Sequence, residues 1–155
     1  MKKSILSILA VSVVVAGTVF ALQAQAFKQS DLDKIPRSCS KCNLEGSDLS
    51  NANLQVAMLN DANLTGANLT GANLIGANLN GADLHNTLLT GAVLSGSHLN
   101  YTNFTGANFT NANLQGAYFT GADLSGANFT NADLTGATWT DGRKRCGAGS
   151  IGVCK

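Results

Sequence analysis

The chain is poor in the side chains that usually carry chemistry. It has two His, two Tyr, one Trp and one Pro in 155 residues, and only 12% of its residues are charged. Between Cys42 and Gly142 there is no Lys or Arg at all. A stretch of that length without a cation excludes a basic face for nucleic acid and a polybasic membrane patch. Two histidines, His85 and His98, leave little for a metal cluster or a catalytic dyad, both of which need several groups converging in a concave pocket. The reading is therefore non-enzymatic, with no cofactor, no metal and no catalytic residue.

Long apolar runs are also scarce, and the only one stands at the N-terminus. Lys2 and Lys3 precede an apolar stretch from Ile5 to Ala21, and Ala24-Gln25-Ala26 supplies the small-x-small pattern of a cleavage site. Roughly 17 apolar residues reach only the lower limit for a membrane span, so residues 1–26 read as a signal peptide and no membrane attachment is expected after its removal. Loss of Lys2 and Lys3 turns the formal charge from +1 to −1. The expected location is the periplasm, or the thylakoid lumen if the source is photosynthetic.

What fills the rest is a period of five. From Leu44 to Trp139 every fifth residue is Leu, Phe or Trp, without an insertion. Two residues before each lies a small one, Ala except at Cys42, Ser47, Thr87, Ser97 and Thr102. Asn or Asp usually comes just before the large residue, and Gly usually closes the pentad. A repeat this regular takes precedence over other readings. In an α-helix five residues advance about 500°, which smears the Leu positions around every face. In a flat strand, positions five apart point to opposite sides. A backbone that turns a corner once per pentad sends each large residue to one interior, and Gly, Asn and Asp suit such corners.

Units such as Ala62-Asn63-Leu64-Thr65-Gly66 and Ala122-Asp123-Leu124-Ser125-Gly126 resemble the A(D/N)LxG units of the pentapeptide-repeat family. The resemblance covers residues 42–141. It implies an all-β fold: a right-handed quadrilateral β-helix with twenty residues per coil and about five coils. At about 4.8 Å per coil the stack would be roughly 24 Å long. Residues 27–41 then form an N-terminal cap, with a short helix suggested by Ser30 and Asp33 as a capping box, Leu32 and Ile35 as apolar contacts and Pro36 as a stop. Residues 142–155 form a C-terminal cap loop over Trp139.

Four cysteines in an exported chain allow three disulfide connectivities. On the stack that the resemblance implies, Cys39 and Cys42 lie at one end and Cys146 and Cys154 at the other, too far apart to cross-link. That leaves Cys39–Cys42 and Cys146–Cys154, and rules out a shared four-cysteine zinc site. Asn43 stands where haem attachment would need a His. A redox dithiol at Cys39 and Cys42 remains as an alternative, because Lys41 could lower a thiol pKa.

An unknown protein partner is the expected ligand, and a homodimer stays open. The coil Ala82–Tyr101 breaks the repeat's rule most often, and Ile75, Leu88, Val93, His98 and Tyr101 mark a candidate partner patch. Ser50, Thr70, Thr90, Thr110 and Thr130 align as a hydroxyl ladder, the basis of an ice- or carbohydrate-binding alternative. Some members of the family mimic a DNA rod and occupy topoisomerases. Duplex DNA carries one charge per ~1.7 Å, against which seven scattered acidic groups in the repeats are few, so nucleic-acid mimicry is the weakest alternative.

Overall fold

The computed structural model describes residues 38–155. The expected signal peptide and the expected cap helix around Ser30, Asp33 and Pro36 lie outside the described residues.

Each pentad folds the same way, and local chemistry explains why. The large residue points inward, its carbonyl accepts a hydrogen bond from the amide three residues on at every turn but Leu99–Thr102, and the chain turns. Ala67 N donates to Leu64 O at 2.9 Å and Ala72 N to Leu69 O at 3.0 Å. The third residue of every such turn, from Lys41 through Gly136, has positive φ, as a type II turn requires. Glycine takes this conformation without a Cβ penalty. Asn, which tolerates it, occupies Asn51, Asn86, Asn111 and Asn131, whereas the β-branched Val56 sits there at φ 53°. The Asn or Asp before each large residue turns its Oδ1 back to accept from the amide two residues on, as Asn63 does from Thr65 N at 3.0 Å and Asp123 from Ser125 N at 2.9 Å. This Asx turn holds the corner from outside.

Four such corners close a coil, because each outward residue pairs in parallel with the one twenty residues on: Asn63 with Asp83, Asn68 with Leu88, Asn73 with Val93, Asn78 with His98. The bonds alternate along the ladder. Leu64 N donates to Asp83 O at 2.7 Å, and Asn68 N to Ser47 O at 2.8 Å. The chain is thus a repeat β-helix, with no helix among the described residues. The ladder already includes Ser38, paired with Met58, and Lys41 N, which donates to Asn60 O at 2.9 Å. Residues 38–41 therefore belong to the coil rather than to the expected cap. The reading from sequence missed them because Cys39 fills the inward position where a Leu marks the later pentads.

Inside, the large residues stack in four columns and the small ones fill between them. Leu64, Leu69, Leu74 and Leu79 are fully buried, and each such side chain contributes about 1.5–3 kcal/mol on removal from water. Toward the C-terminal end Leu gives way to rings: Phe104 lies edge-on to Phe109 at 5.0 Å, Phe109 stacks on Phe129 at 4.8 Å, and Phe119 meets Trp139 at 5.7 Å. Where a hydroxyl replaces Ala inside, it finds a turn carbonyl: Thr87 Oγ1 donates to Leu64 O at 2.9 Å, Thr102 Oγ1 to Leu79 O at 2.8 Å, and Ser97 Oγ to Leu94 O at 2.7 Å. Ser47 Oγ is buried with no partner.

The tail after Asp141 doubles back over half of the last coil. Ile151 pairs antiparallel with Asp133, and Arg145 with Thr138. Trp139 N donates to Lys144 O at 2.7 Å, and Leu134 N to Ser150 O at 2.9 Å.

Candidate functional site: the outer faces of the coil

The five positions marked as a partner patch do not form one patch. Leu88, Val93 and His98 follow one another at intervals of five, so the corners between them place them on three successive faces. Leu88 is 45% exposed among asparagines, flanked along the ladder by Asn68 and Asn108. Val93 is half-buried and pairs with Asn73, two residues before the exposed Ile75. His98 and Tyr101 stand on the next face and its corner.

That last face also holds residues the sequence reading passed over. Its outward column runs Ser38, Met58, Asn78, His98, Tyr118, Thr138, and only Asn78 obeys the Asn/Asp rule. His98 and Tyr118 stack with ring centres 5.2 Å apart and planes 10° from parallel. Tyr101, the most exposed large apolar residue among those described, lies along the corner over Gly121, where an added Cβ would come within 2.5 Å of its ring. Aligning the sequence at twenty residues exposes the column, whereas scanning coil by coil hides it.

Replacing Asx by His or Tyr at these positions removes the acceptor that normally holds the next corner. On this face a second side chain supplies it. Asn80 Oδ1 accepts from the backbone amide of Asn100 at 2.9 Å and from its Nδ2 at 3.0 Å. Asn100 Oδ1 in turn accepts from Thr120 N at 3.1 Å. The corners after His98 and Tyr118 are thus satisfied from the coil before. No such replacement occurs at Leu88 or Val93, where the amides of Thr90 and Ser95 have no side-chain acceptor among the described residues. The aromatic face is built, with its backbone held by a companion asparagine ladder; Leu88 and Val93 are simple departures from the repeat.

The hydroxyl column Ser50, Thr70, Thr90, Thr110 and Thr130 does align at intervals of twenty residues. Its far end is turned into the chain: Thr110 Oγ1 donates to Asn108 Oδ1 at 2.6 Å and Thr130 Oγ1 to Asn128 Oδ1 at 2.7 Å, and Asn128 Nδ2 reaches Thr110 Oγ1 at 3.2 Å. His85, half-buried, contacts Asn86 Nδ2 through Nε2 at 3.0 Å and lies away from His98 on another face. No group of three or more His, Cys, Asp or Glu able to hold a metal occurs among the described residues.

Cys39 and Cys42 are bonded across the first described turn, with α-carbons 5.3 Å apart. Cys146 and Cys154 are bonded within the tail, with α-carbons 4.8 Å apart. The carboxylates with shifted acidity cluster toward the C-terminal end. Asp123 is held below the ordinary carboxylate range chiefly by the Ser125 hydroxyl and amide. Asp133 is lowered first by the Gln115 side-chain amide, which donates at 2.6 Å. Asp141 is lowered by the amides of Lys144 and Arg143, which donate at 2.8 and 2.9 Å.

The coil has counterparts among solved structures. HetL, a pentapeptide repeat protein involved in heterocyst differentiation regulation from the cyanobacterium Nostoc sp. strain PCC 7120, is 36% identical over 68% of this chain, with a TM-score of 0.66. This chain spans 50% of that protein's length. Rfr23, a pentapeptide repeat protein from the cyanobacterium Cyanothece 51142, is 33% identical over 70% of this chain and 86% of its own, also with a TM-score of 0.66. None of the curated proteins matches in sequence. A family model described as pentapeptide repeats, in eight copies, matches segments running from residue 38 to residue 140. With more than half its length matched and the ladder closing every twenty residues, the chain belongs to the pentapeptide-repeat family.

Proposed function

We propose that this chain is an exported, non-enzymatic interaction module that presents the His98–Tyr118 face, with Tyr101 at its edge, to a protein partner. The organisation we propose is a signal peptide over residues 1–26, a cap beginning at Phe27, a right-handed β-helix of about five coils and a capping tail from residue 142. Export to the periplasm, or to a thylakoid lumen, is supported by the Lys2-Lys3 start, the apolar stretch and Ala24-Gln25-Ala26. The two disulfides fit an oxidising compartment.

The observation that carries the reading is the pairing of two features on one face. Two exposed rings, His98 and Tyr118, stand where the repeat places Asn or Asp, with Tyr101 exposed at the adjoining corner, and Asn80 and Asn100 supply the acceptors that the replaced residues would have provided. Exposed aromatics with a rigid backing are what protein interfaces use, since a ring brings large contact area at little cost in side-chain entropy. The repeats between Cys42 and Gly142 carry no cation, so the contact is aromatic and polar rather than steered by positive charge.

The test is partner capture by the processed protein, compared with His98→Asn plus Tyr118→Asn and with Leu88→Asn plus Val93→Asn. The first variant restores the repeat's rule and should lose the partner; the second should keep it. Equal recovery by all three proteins would sink the aromatic face as a binding surface.

A further inference from the structure

The coil keeps its exposed apolar residues almost entirely on one side. Before the tail, the described residues expose six large apolar side chains, Val56, Met58, Ile75, Leu88, Tyr101 and Tyr118. All but Leu88 stand on the His98–Tyr118 face or at its two bordering corners. Val56 and Tyr101 hold those corners at φ 53° and 58°, a conformation in which a β-branched or bulky residue is an outlier. Each also leans over a glycine of the next coil: Val56 Cγ1 lies 3.4 Å from where a Cβ on Gly76 would stand, and the Tyr101 ring 2.5 Å from where one on Gly121 would. Strain kept at exposed positions, where Gly or Asn would relieve it, marks a surface under functional constraint.

We propose that two copies of this chain pair side by side through this face, with their stacks antiparallel. The pairing names the partner of the face described above and rests on that reading. A two-fold axis lying in the contact, across the stack midway between Asn78 and His98, sets the column Ser38, Met58, Asn78, His98, Tyr118, Thr138 against its own reverse. Asn78 then meets the other copy's His98, Met58 its Tyr118 and Ser38 its Thr138, each pair occurring twice as a two-fold contact demands. The pairs match in kind: an amide with an imidazole, a thioether with a ring, a hydroxyl with a hydroxyl. A parallel two-fold would set Met58 on Met58 and His98 on His98 instead.

The corners match as well. On the Tyr101 side the corner column runs Lys41, Asp61, Gly81, Tyr101, Gly121, Asp141, each amide up to Gly121 donating to the next coil. The same operation sets Tyr101 against the other copy's Gly81. On the opposite side Val56 and Ile75 face Gly116 and Gly96, at both of which an added Cβ would have nothing within 4 Å. Each protruding side chain thus finds a glycine.

Charge agrees too. Lys41 is the only cation of the described residues outside the tail, and the operation brings it to the other copy's Asp141, again twice. No two like charges among the described residues of the face are brought together. The contact runs the length of the stack in five steps of about 4.8 Å, but it is only one face wide. It is smaller than a standard interface, so the dimer is a weak one.

The experiment takes the chain expressed whole and purified with its N-terminus as the cell leaves it. Sedimentation should find a dimer at high micromolar concentration that separates on dilution. A sample mixing Met-methyl-labelled and unlabelled copies should then show a nuclear Overhauser effect from the Met58 methyl to the Tyr118 ring of the unlabelled copy. Within one chain these groups lie three coils apart, about 14 Å, too far for the effect. Lys41→Glu alone and Asp141→Lys alone should each weaken association at least about tenfold by placing like charges in contact. Mixing the two should restore the dimer, because opposite charges then meet at both ends. A variant that had merely lost its fold would not recover on mixing. Leu88→Asn plus Val93→Asn, on other faces, should leave the dimer unchanged. A wild-type chain that stays monomeric, or a dimer that shows no Met58–Tyr118 effect or that meets end to end, would overturn the proposal. A monomeric wild type would still leave the aromatic face to a different protein, which the capture experiment reads on its own.

Discussion

Asn100→Ala is the sharpest probe of how the aromatic face is held. In the wild type it removes two hydrogen bonds, Nδ2 to Asn80 Oδ1 at 3.0 Å and Thr120 N to Asn100 Oδ1 at 3.1 Å. Asn100 is half-buried, so each bond contributes about 0.5–1.5 kcal/mol and the loss should be about 1–2 kcal/mol, part of it from a Thr120 amide left without an acceptor. Tyr118→Asn alone should change stability little, because it exchanges an exposed ring for the repeat's own residue. Made together, the two should cost less than their sum by about 0.5–1 kcal/mol, since Tyr118→Asn supplies the Oδ1 that holds the amide two residues on, as Asn63 does for Thr65. Urea unfolding of the four proteins gives the coupling, and exchange of the Thr120 amide locates it: fast in Asn100→Ala, slow again in the double variant. Strict additivity, with Thr120 equally exposed in single and double variants, would refute the view that Asn100 stands in for a missing Asx turn.

Three further outcomes follow from single positions. Val56 holds a β-branched side chain at φ 53° with 51% of its surface exposed, so Val56→Gly should raise stability by about 1 kcal/mol in denaturant unfolding. Ser47 Oγ is buried without a partner, so Ser47→Ala should stabilise by about 1 kcal/mol, while Thr102→Val, which breaks the bond to Leu79 O, should destabilise by a similar amount; equal effects of the two would refute this assignment. Asp141 has its pKa lowered below 3.8 by the amides of Lys144 and Arg143. A depressed carboxylate stabilises the fold above its unfolded pKa and ceases to do so as pH falls through the folded value. The Lys144 and Arg143 amide resonances should therefore be constant from neutrality down to about pH 4 and move only below it, and a midpoint above 3.8 would contradict the bonding seen.

The coil was legible because the five-residue period leaves one way to bury Leu64, Leu69 and their kin together, and each pentad repeats the demand. The first turn was not, since Cys39 occupies the inward position where the later pentads carry Leu, Phe or Trp, and so conceals it. The site was legible only in part. His98 and Tyr101 stand out as departures from the repeat, but their connection with Tyr118 requires stacking the sequence at twenty residues. Leu88 and Val93 look equally deviant in sequence; the corners that put them on other faces, and the missing replacement for their Asx turns, distinguish them. Nothing in the sequence marks Asn80 and Asn100 as a ladder, because Asn, Thr and Ser all follow the large residue elsewhere. The tail is aperiodic, so its antiparallel pairing over half of the last coil had no pattern to betray it.

The most direct trial of the coil itself is measurement of scalar couplings across the backbone hydrogen bonds. The amide of each large inward residue from Leu44 to Phe119 should couple to the carbonyl nineteen residues on, as Leu64 N does with Asp83 O, and that of each outward residue from Asn63 to Thr138 to the carbonyl twenty-one residues back, as Asn68 N does with Ser47 O. Couplings to carbonyls four residues back, or at separations that vary from pentad to pentad, would contradict a chain that closes on itself every twenty residues.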